Sequence, residues 1–179
     1  SSLAHLTPTT AVNLRWPFAR TTAGGVRDVI TPMVQLAWTD SIGADVPNED
    51  SRIVEFDEGN LFALNRFPGS DRYERGWRAT LGVNWARFDP AGREYALTLG
   101  RVIRFEDLNQ FPGASGLDGG ASDRLVSGRV QLDDRLTLAN RSLFDDSFNF
   151  AKSETQIAWA GTRLSGTASY TWVVDDPAE

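Results

Sequence analysis

Polar and apolar positions alternate along much of this chain with a period of two, most cleanly over residues 77–105. Trp77, Ala79, Leu81, Val83 and Trp85 fall on one face and Arg78, Thr80, Gly82 and Asn84 on the other, which predicts a strand. Asp89-Pro90-Ala91-Gly92 predicts a turn. Beyond it Tyr95, Leu97, Leu99, Ile103 and Phe105 share the face of a second arm. Both arms are about twice the usual strand length. The same alternation predicts strands at 12–18, 30–38, 126–132, 136–144, 155–159 and 164–174, giving eight main strands and no helix of ordinary length.

Aromatic residues close the apolar faces of these strands: Trp16, Trp38, Trp77, Trp85, Tyr95, Phe105, Trp159, Tyr170 and Trp172. Trp77 and Trp85 are eight residues apart, roughly 20 Å along the axis of a barrel whose strands tilt by ~40°. An outer-membrane barrel carries aromatic girdles on the two rims of a ~25 Å apolar band. The connections sort by length as well. Segments 40–73, 106–122 and 145–153 are long and fall at one end, whereas the turns at Asp89, Asp133 and Gly161 are short and fall at the other. Sorted loops are what an up-and-down membrane barrel has, and a Greek-key sandwich has no reason for them. The expected fold is therefore all-β, an antiparallel up-and-down transmembrane β-barrel segment. Residues 1–179 form a single region of it, and the loop 40–73 is inserted between strands. Two rivals stay open: a self-contained small outer-membrane barrel serving as anchor, adhesin or pore, and a soluble β-sandwich binding module.

Arg101 strains this pattern, because it falls in phase with Leu99 and Ile103, and an arginine facing lipid at the midplane costs about 2–4 kcal/mol. Either Gly100 marks a bulge that flips the phase, or Arg101 lies near the outer rim. Arg87, at the turn end of its strand, can snorkel.

Composition narrows the function. The net charge is −6 and the pI about 4.8, against a nucleic-acid-binding surface. The mean hydropathy of −0.32 is compatible with membrane strands, whose signal is alternation. No run is long and apolar enough for a transmembrane helix. The start Ser1-Ser2-Leu3 has neither an initiator Met nor a signal-peptide pattern, which reads as a mature or excerpted chain. Catalysis has little support, with one histidine (His5), no cysteine and no Gly-x-Ser-x-Gly elbow. The pairs Asp133-Asp134 and Asp145-Asp146 read as turn formers, and no cofactor or metal is predicted. A calcium ion on Glu49, Asp50, Asp57 and Glu58 would need a spacing that matches no 12-residue calcium loop.

The basic residues are lopsided, seventeen Arg against one Lys, Lys152. Arg78, Arg104, Arg129 and Arg141 fall on the polar faces and could line a lumen or pair there with acids. The long loop has Ile53, Val54, Phe56, Leu61, Phe62, Leu64 and Phe67 to pack, which predicts an ordered segment. Its polar motif, Asn48, Glu49, Asp50 and Ser51 with Asn65, Arg66, Gly69, Asp71 and Arg72, is the expected site. It could plug the lumen and gate it or touch a partner; the plainer reading is a structural loop held by its own ion pairs.

The order Pro47-Asn-Glu-Asp-Ser51, Asn60-Leu-Phe62, Asn65-Arg-Phe-Pro-Gly-Ser-Asp-Arg72 and Gly76 resembles the LptD family of lipopolysaccharide-assembly outer-membrane proteins. A Thr-Pro-Met-Val-Gln-Leu strand precedes it and a Leu-Gly-Arg strand follows, so the likeness covers roughly 30–130. The resemblance implies a middle part of that family's large C-terminal barrel in a Gram-negative outer membrane. It also implies as partners lipopolysaccharide, outer-membrane lipids, an LptE-type plug lipoprotein and a periplasmic bridge reached through a domain absent here. The segment would form barrel wall and loops of the translocon.

Overall fold

A computed structural model describes residues 5–43, 54–69 and 72–174. Of the loop positions singled out above, Pro47, Asn48, Glu49, Asp50, Ser51, Ile53, Ser70 and Asp71 lie outside the described residues.

One antiparallel sheet dominates the chain. Its strands are β2 (Thr9–Arg15), β3 (Phe18–Thr21), β4 (Arg27–Thr39), β6 (Gly76–Phe88), β7 (Glu94–Arg104), β8 (Arg124–Gln131), β9 (Leu136–Phe144), β10 (Phe150–Ala160) and β11 (Ser165–Val173). They lie in the order β11-β10-β9-β8-β7-β6-β4-β2, with β3 also on β4, so each strand pairs with its neighbours in sequence. Two short strands, β1 (His5–Leu6) and β5 (Ile42–Gly43), pair separately. Gly113–Ser115 forms a 3-10 turn. The sheet is open: β11 and the β2/β3 strand each have one neighbour.

β2 and β3 are one strand interrupted, because both keep the same register against β4: Arg15 faces Met33 and Phe18 faces Ile30. The interruption is the work of two prolines. Trp16 N donates to Pro32 O at 3.1 Å, and Pro32 has no N–H to return the bond. Pro17 lacks the next donor, which would point away from β4 towards the open edge. Counted this way there are eight long strands, as the alternation predicts.

The register fixes which residues share a face. Val12, Leu14, Trp16 and Phe18 stand opposite Leu36, Val34, Pro32 and Ile30, and those in turn stand beside Ala79, Leu81, Val83 and Trp85. Leu97, Leu99 and Ile103 continue the rows, and Val126, Val130, Leu138, Ile157 and Trp159 extend them to β10. Most of the large residues on this outward face are exposed, among them Trp16 at 62%, Val12 at 68% and Leu81 at 44%. Apolar exposure on this scale far exceeds the patches of a soluble monomer.

The opposite face holds the core. Val54, Phe56, Leu61 and Phe67 of the long loop meet Val102, Leu125 and Leu143 of the sheet, with Phe111 and Leu117 of the 105–123 connection. The core therefore lies on the side opposite the exposed apolar face, here called inward, built from loops folded back over the strands. Gly82 and Gly100 face each other across β6 and β7 and open a notch that Leu61 and Phe62 fill. A Cβ on Gly82 would come within 2.8 Å of Phe62 Cε2, and one on Gly100 would overlap Leu61. Gly100 is thus a packing notch, and of the two alternatives the phase flip does not occur. β7 stays in register from Glu94 to Arg104, and Arg101 stays outward, opposite Leu81.

Two connections differ from the sequence reading. The link between β3 and β4 shrinks to residues 22–26, because the strands extend further than the apolar pattern alone suggests. The link between β9 and β10 is five residues, 145–149. Asp145 closes it by accepting from the N–H groups of Ser147 and Asn149 at 2.8 Å. Asp133 closes the β8–β9 turn in the same way through Arg135 N and Leu136 N. Only two connections at that end are long, 40–75 and 105–123.

Gly100→Val is expected to destabilise the fold by about 1–3 kcal/mol through overpacking against Leu61. Urea titration of the refolded chain in micelles measures this. Adding Leu61→Ala should recover part of the loss, and a fully additive double variant would mean that the notch is not occupied as described.

Candidate functional site

The loop from 54 to 75 lies over the inward face, and a carboxylate that the sequence reading did not single out fastens it. Glu74 is fully buried at the foot of β6. Its Oε2 accepts from Arg66 Nη1 at 2.5 Å and lies 3.7 Å from Arg78 Nε. Its Oε1 accepts from Arg104 Nη2 at 3.0 Å and Nε at 3.2 Å. Arg78 and Arg104 are cross-strand partners in β6 and β7, so the register alone brings these two like charges together. Like charges directly opposite repel, and Glu74 between them offsets that repulsion.

One carboxylate cannot occupy three guanidinium groups, and the remaining N–H donors turn to oxygen of the loops. Arg66 donates to Leu61 O at 2.6 Å and Thr80 Oγ1 at 3.2 Å. Arg78 donates to Leu64 O, to Glu74 O at 3.2 Å and to Thr39 Oγ1 at 3.3 Å. Arg104 donates to Leu117 O at 2.7 Å. The strands thus hold both long loops by their carbonyl groups. Arg66 Nε keeps no hydrogen-bond partner among the described residues.

Local bonds shape the loop around this cluster. Asn65 accepts from Phe67 N and Glu74 N and donates to Arg72 O at 3.0 Å, closing the segment that contains Gly69. Phe67 stacks on Phe111 with ring centroids 4.6 Å apart; Arg72 lies over the first ring and Arg104 over the second. Gln110 accepts from Arg75 N at 2.7 Å and donates to Arg75 O at 3.0 Å. The two long loops are therefore docked to each other as well as to the sheet.

The far arm of the loop is held more lightly. Glu58 pairs with Arg141 at 2.7 Å, Arg141 also reaches Glu154 at 3.0 Å, and Glu55 pairs with Lys152 at 3.2 Å. Burial pushes the Glu58 carboxyl up, but hydrogen bonds from Arg141 and the backbone outweigh it and leave Glu58 below its ordinary range. Beside this arm opens a polar cleft of about 320 Å³, lined by Ser127, Arg141, Glu154, Gln156, Ser169 and Thr171 among others. Arg129 faces inward by register, between Ala96 and Ala139, and makes no ion pair with a described residue. Asp57 accepts from Asn60 N and lies 3.9 Å from Arg141, so it and Glu58 serve the loop and the strand.

The aromatic positions fall at both ends of the outward face. Trp38 and Trp77 pair at the long-loop end, 6.3 Å between centroids, with Phe105 beside them. Trp172 packs there on Phe150 at 6.1 Å, with Tyr170 one pleat further in. Trp16, Trp85, Tyr95 and Trp159 lie towards the short turns. Arg101 reaches past the strand end to Ser122 O at 2.9 Å and to Asp146, which Arg124 approaches at 3.4 Å.

Sequence reasoning missed Glu74, Gln110 and the Gly82/Gly100 notch. The available signal for Glu74 was its spacing: an acid four residues before Arg78, in a segment otherwise rich in arginine.

Glu74→Gln keeps the shape but removes the charge between three buried guanidinium groups, a change expected to cost about 3–5 kcal/mol. Urea unfolding in micelles measures it, and a loss below 1 kcal/mol would show that the cluster is not what holds the loop. Asp123, in the connection before β8, offers a pH test. Burial, then the neighbouring Asp118, Asp145 and Asp146, raise its carboxyl to about 6 from 3.8. A raised carboxylate pKa means that the folded state holds the proton longer, so stability falls as pH rises from about 4 to 6. Asp123→Asn should therefore raise the unfolding midpoint at pH 7 and leave it unchanged at pH 3.5.

A search among curated proteins returns no match. A family model described as LptD: LPS transport system D matches residues 1–179. That match spans every strand of the sheet and both docked loops, and the all-β, two-faced sheet fits it. The chain belongs to the LptD family, whose work is LPS transport.

Proposed function

We propose that this chain is part of the wall of an outer-membrane translocon that assembles lipopolysaccharide into the outer leaflet of a Gram-negative outer membrane. The observation that carries the reading is the division of the sheet into two faces. One is exposed and mainly apolar, interrupted on β9 and β10 by Asn140, Ser142, Ser153 and Thr155; the other is covered by the chain's own loops through the Glu74 cluster and the core beside it. The bilayer is the solvent for the first face, and a wide lumen contains the second. The aromatic rows at the two ends sit at the two interfaces. The open edges pair with further strands of the same barrel, since unpaired backbone groups in hydrocarbon cost several kcal/mol each.

Within the lumen the 54–75 loop acts as a strap. Its buried anchor keeps it folded against β6 and β7, and its lightly held arm over Arg141 and Lys152 faces the passage. The strap and the polar inner face meet the polar part of lipopolysaccharide and an LptE-type plug lipoprotein. The lipid itself arrives by a periplasmic bridge through a domain outside these residues. Two rival readings have less support. A self-contained small barrel needs β11 to pair with β2/β3, whereas these are separate edges. A soluble sandwich needs a second sheet over the Trp-bearing face, and among the described residues nothing covers it.

Arg66→Ala with Glu74→Ala in the full-length protein is expected to lower copurification of the plug lipoprotein and to reduce surface lipopolysaccharide several-fold at equal barrel abundance. Unchanged copurification and unchanged export at that abundance would remove the strap from the transport role.

A further inference from the structure

Three strands carry a charged row on the outward face at the short-turn end. Arg20 of β3 stands opposite Asp28 of β4, Asp28 opposite Arg87 of β6, and Arg87 opposite Tyr95 of β7. Asp28 accepts from Arg87 Nε at 2.8 Å and Nη2 at 3.1 Å. The Arg87 guanidinium lies 5.6 Å from the Trp85 ring centroid. Arg20 is exposed and makes no side-chain hydrogen bond to a described residue. The row therefore holds two guanidinium groups and one carboxylate. Asp89 in the adjoining turn is occupied by Ala91 N at 2.8 Å.

Its depth matters as much as its charge. Arg87 is ten residues from Trp77, so at ~3.3 Å per residue and a tilt of ~40° the two rows are ~25 Å apart along the barrel axis. That is the height of the apolar band of an outer-membrane barrel. With Trp77 and Trp38 at one interface, Arg20 and Arg87 come level with the lipid phosphates of the other. Directly inside them run Phe18, Ile30, Trp85 and Leu97, which suit the first segment of the acyl chains.

We infer that Arg20 and Arg87, set beside Trp85, bind the phosphate of an anionic glycerophospholipid in the leaflet at the short-turn end. Asp28 orients Arg87 and at the same time competes with the lipid for it. Arg20, with no carboxylate bonded to it, is the open half of the site. An anionic headgroup is favoured over a zwitterionic one because Asp28 and the more distant Asp89 both act on Arg87, whereas the exposed Arg20 has no carboxylate hydrogen-bonded to it among the described residues. This rests on the reading that the outward face meets lipid.

The test uses the full-length protein purified from outer membranes. Tryptophan quenching by brominated phospholipid in reconstituted vesicles tests whether the outward face meets lipid. Native mass spectrometry with added phosphatidylglycerol or phosphatidylcholine then reads the site. The wild type is expected to retain phosphatidylglycerol several-fold more strongly. Arg20→Gln and Arg87→Gln should each weaken that retention about fivefold, and Asp28→Asn should strengthen it to a similar degree. A purely structural triad would lose stability in all three variants and would not give opposite signs. Equal retention of the two lipids by the wild type, or no change in Asp28→Asn, overturns the inference while quenching leaves the wall reading standing. Absence of quenching overturns both.

Discussion

A buried carboxylate surrounded by three guanidinium groups is the interaction on which the inner half of this structure depends. Taking four ionised groups out of water costs several kcal/mol each unless they are paired and their other donors satisfied. Glu74 supplies the pairing, and the carbonyl groups of Leu61, Leu64 and Leu117 take up further donors, leaving Arg66 Nε and Arg78 Nε without a hydrogen-bond partner among the described residues. The cost of burying the arginines is what makes the loops necessary, because each loop brings oxygens the strands cannot provide. Without Glu74, Arg78 and Arg104 would face each other across β6 and β7 with no reason for the loops to stay. The Gly82/Gly100 notch adds the apolar half of the same attachment. Leu61 enters there, some six residues along β6 from Gly76, so the loop reaches ~20 Å down the strand.

The outer half follows a different rule. Its residues are held by backbone pairing and by cross-strand neighbours, mostly apolar, with one polar set, Asn140, Ser142, Ser153 and Thr155, satisfied by hydrogen bonds among themselves on β9 and β10. Arg101 looks like an exception, lying opposite Leu81 on the outward face. Its side chain solves the problem by length, carrying the charge to Ser122 O and Asp146 beyond the strand. An aspartate or a lysine at position 101 would lack either the reach or the planar donor pair.

Strand positions were legible in the sequence because a pleated sheet with one apolar face writes its period directly into the residues. The Trp77 to Phe105 hairpin, its Asp89 turn and its face assignments required nothing from elsewhere in the chain. The Asn65-Arg66 and Asn60-Leu61-Phe62 stretches also stood out, and the likeness they carried agrees with the family to which the chain belongs. What could not be read was contact across the lumen. Glu74 is one acid among twenty-four, and only the pairing of Arg78 with Arg104 makes it singular. The β9–β10 connection was read as 145–153, whereas β10 already begins at Phe150. There the strand carries an irregular register against β9, an effect of three-dimensional pairing that a period of two cannot express.

The stack of Arg72, Phe67, Phe111 and Arg104 joins the two long loops ring to ring, and this bears on how the surface of the protein can vary. A loop that stands alone can lengthen or shorten at any exposed point. Here Phe111 stays over Phe67 and Gln110 stays against Arg75, so change in the 105–123 connection is confined to its exposed stretches, Glu106 to Asn109, Pro112 to Ala114 and Asp118, and a lengthening at any of them leaves the two loops joined.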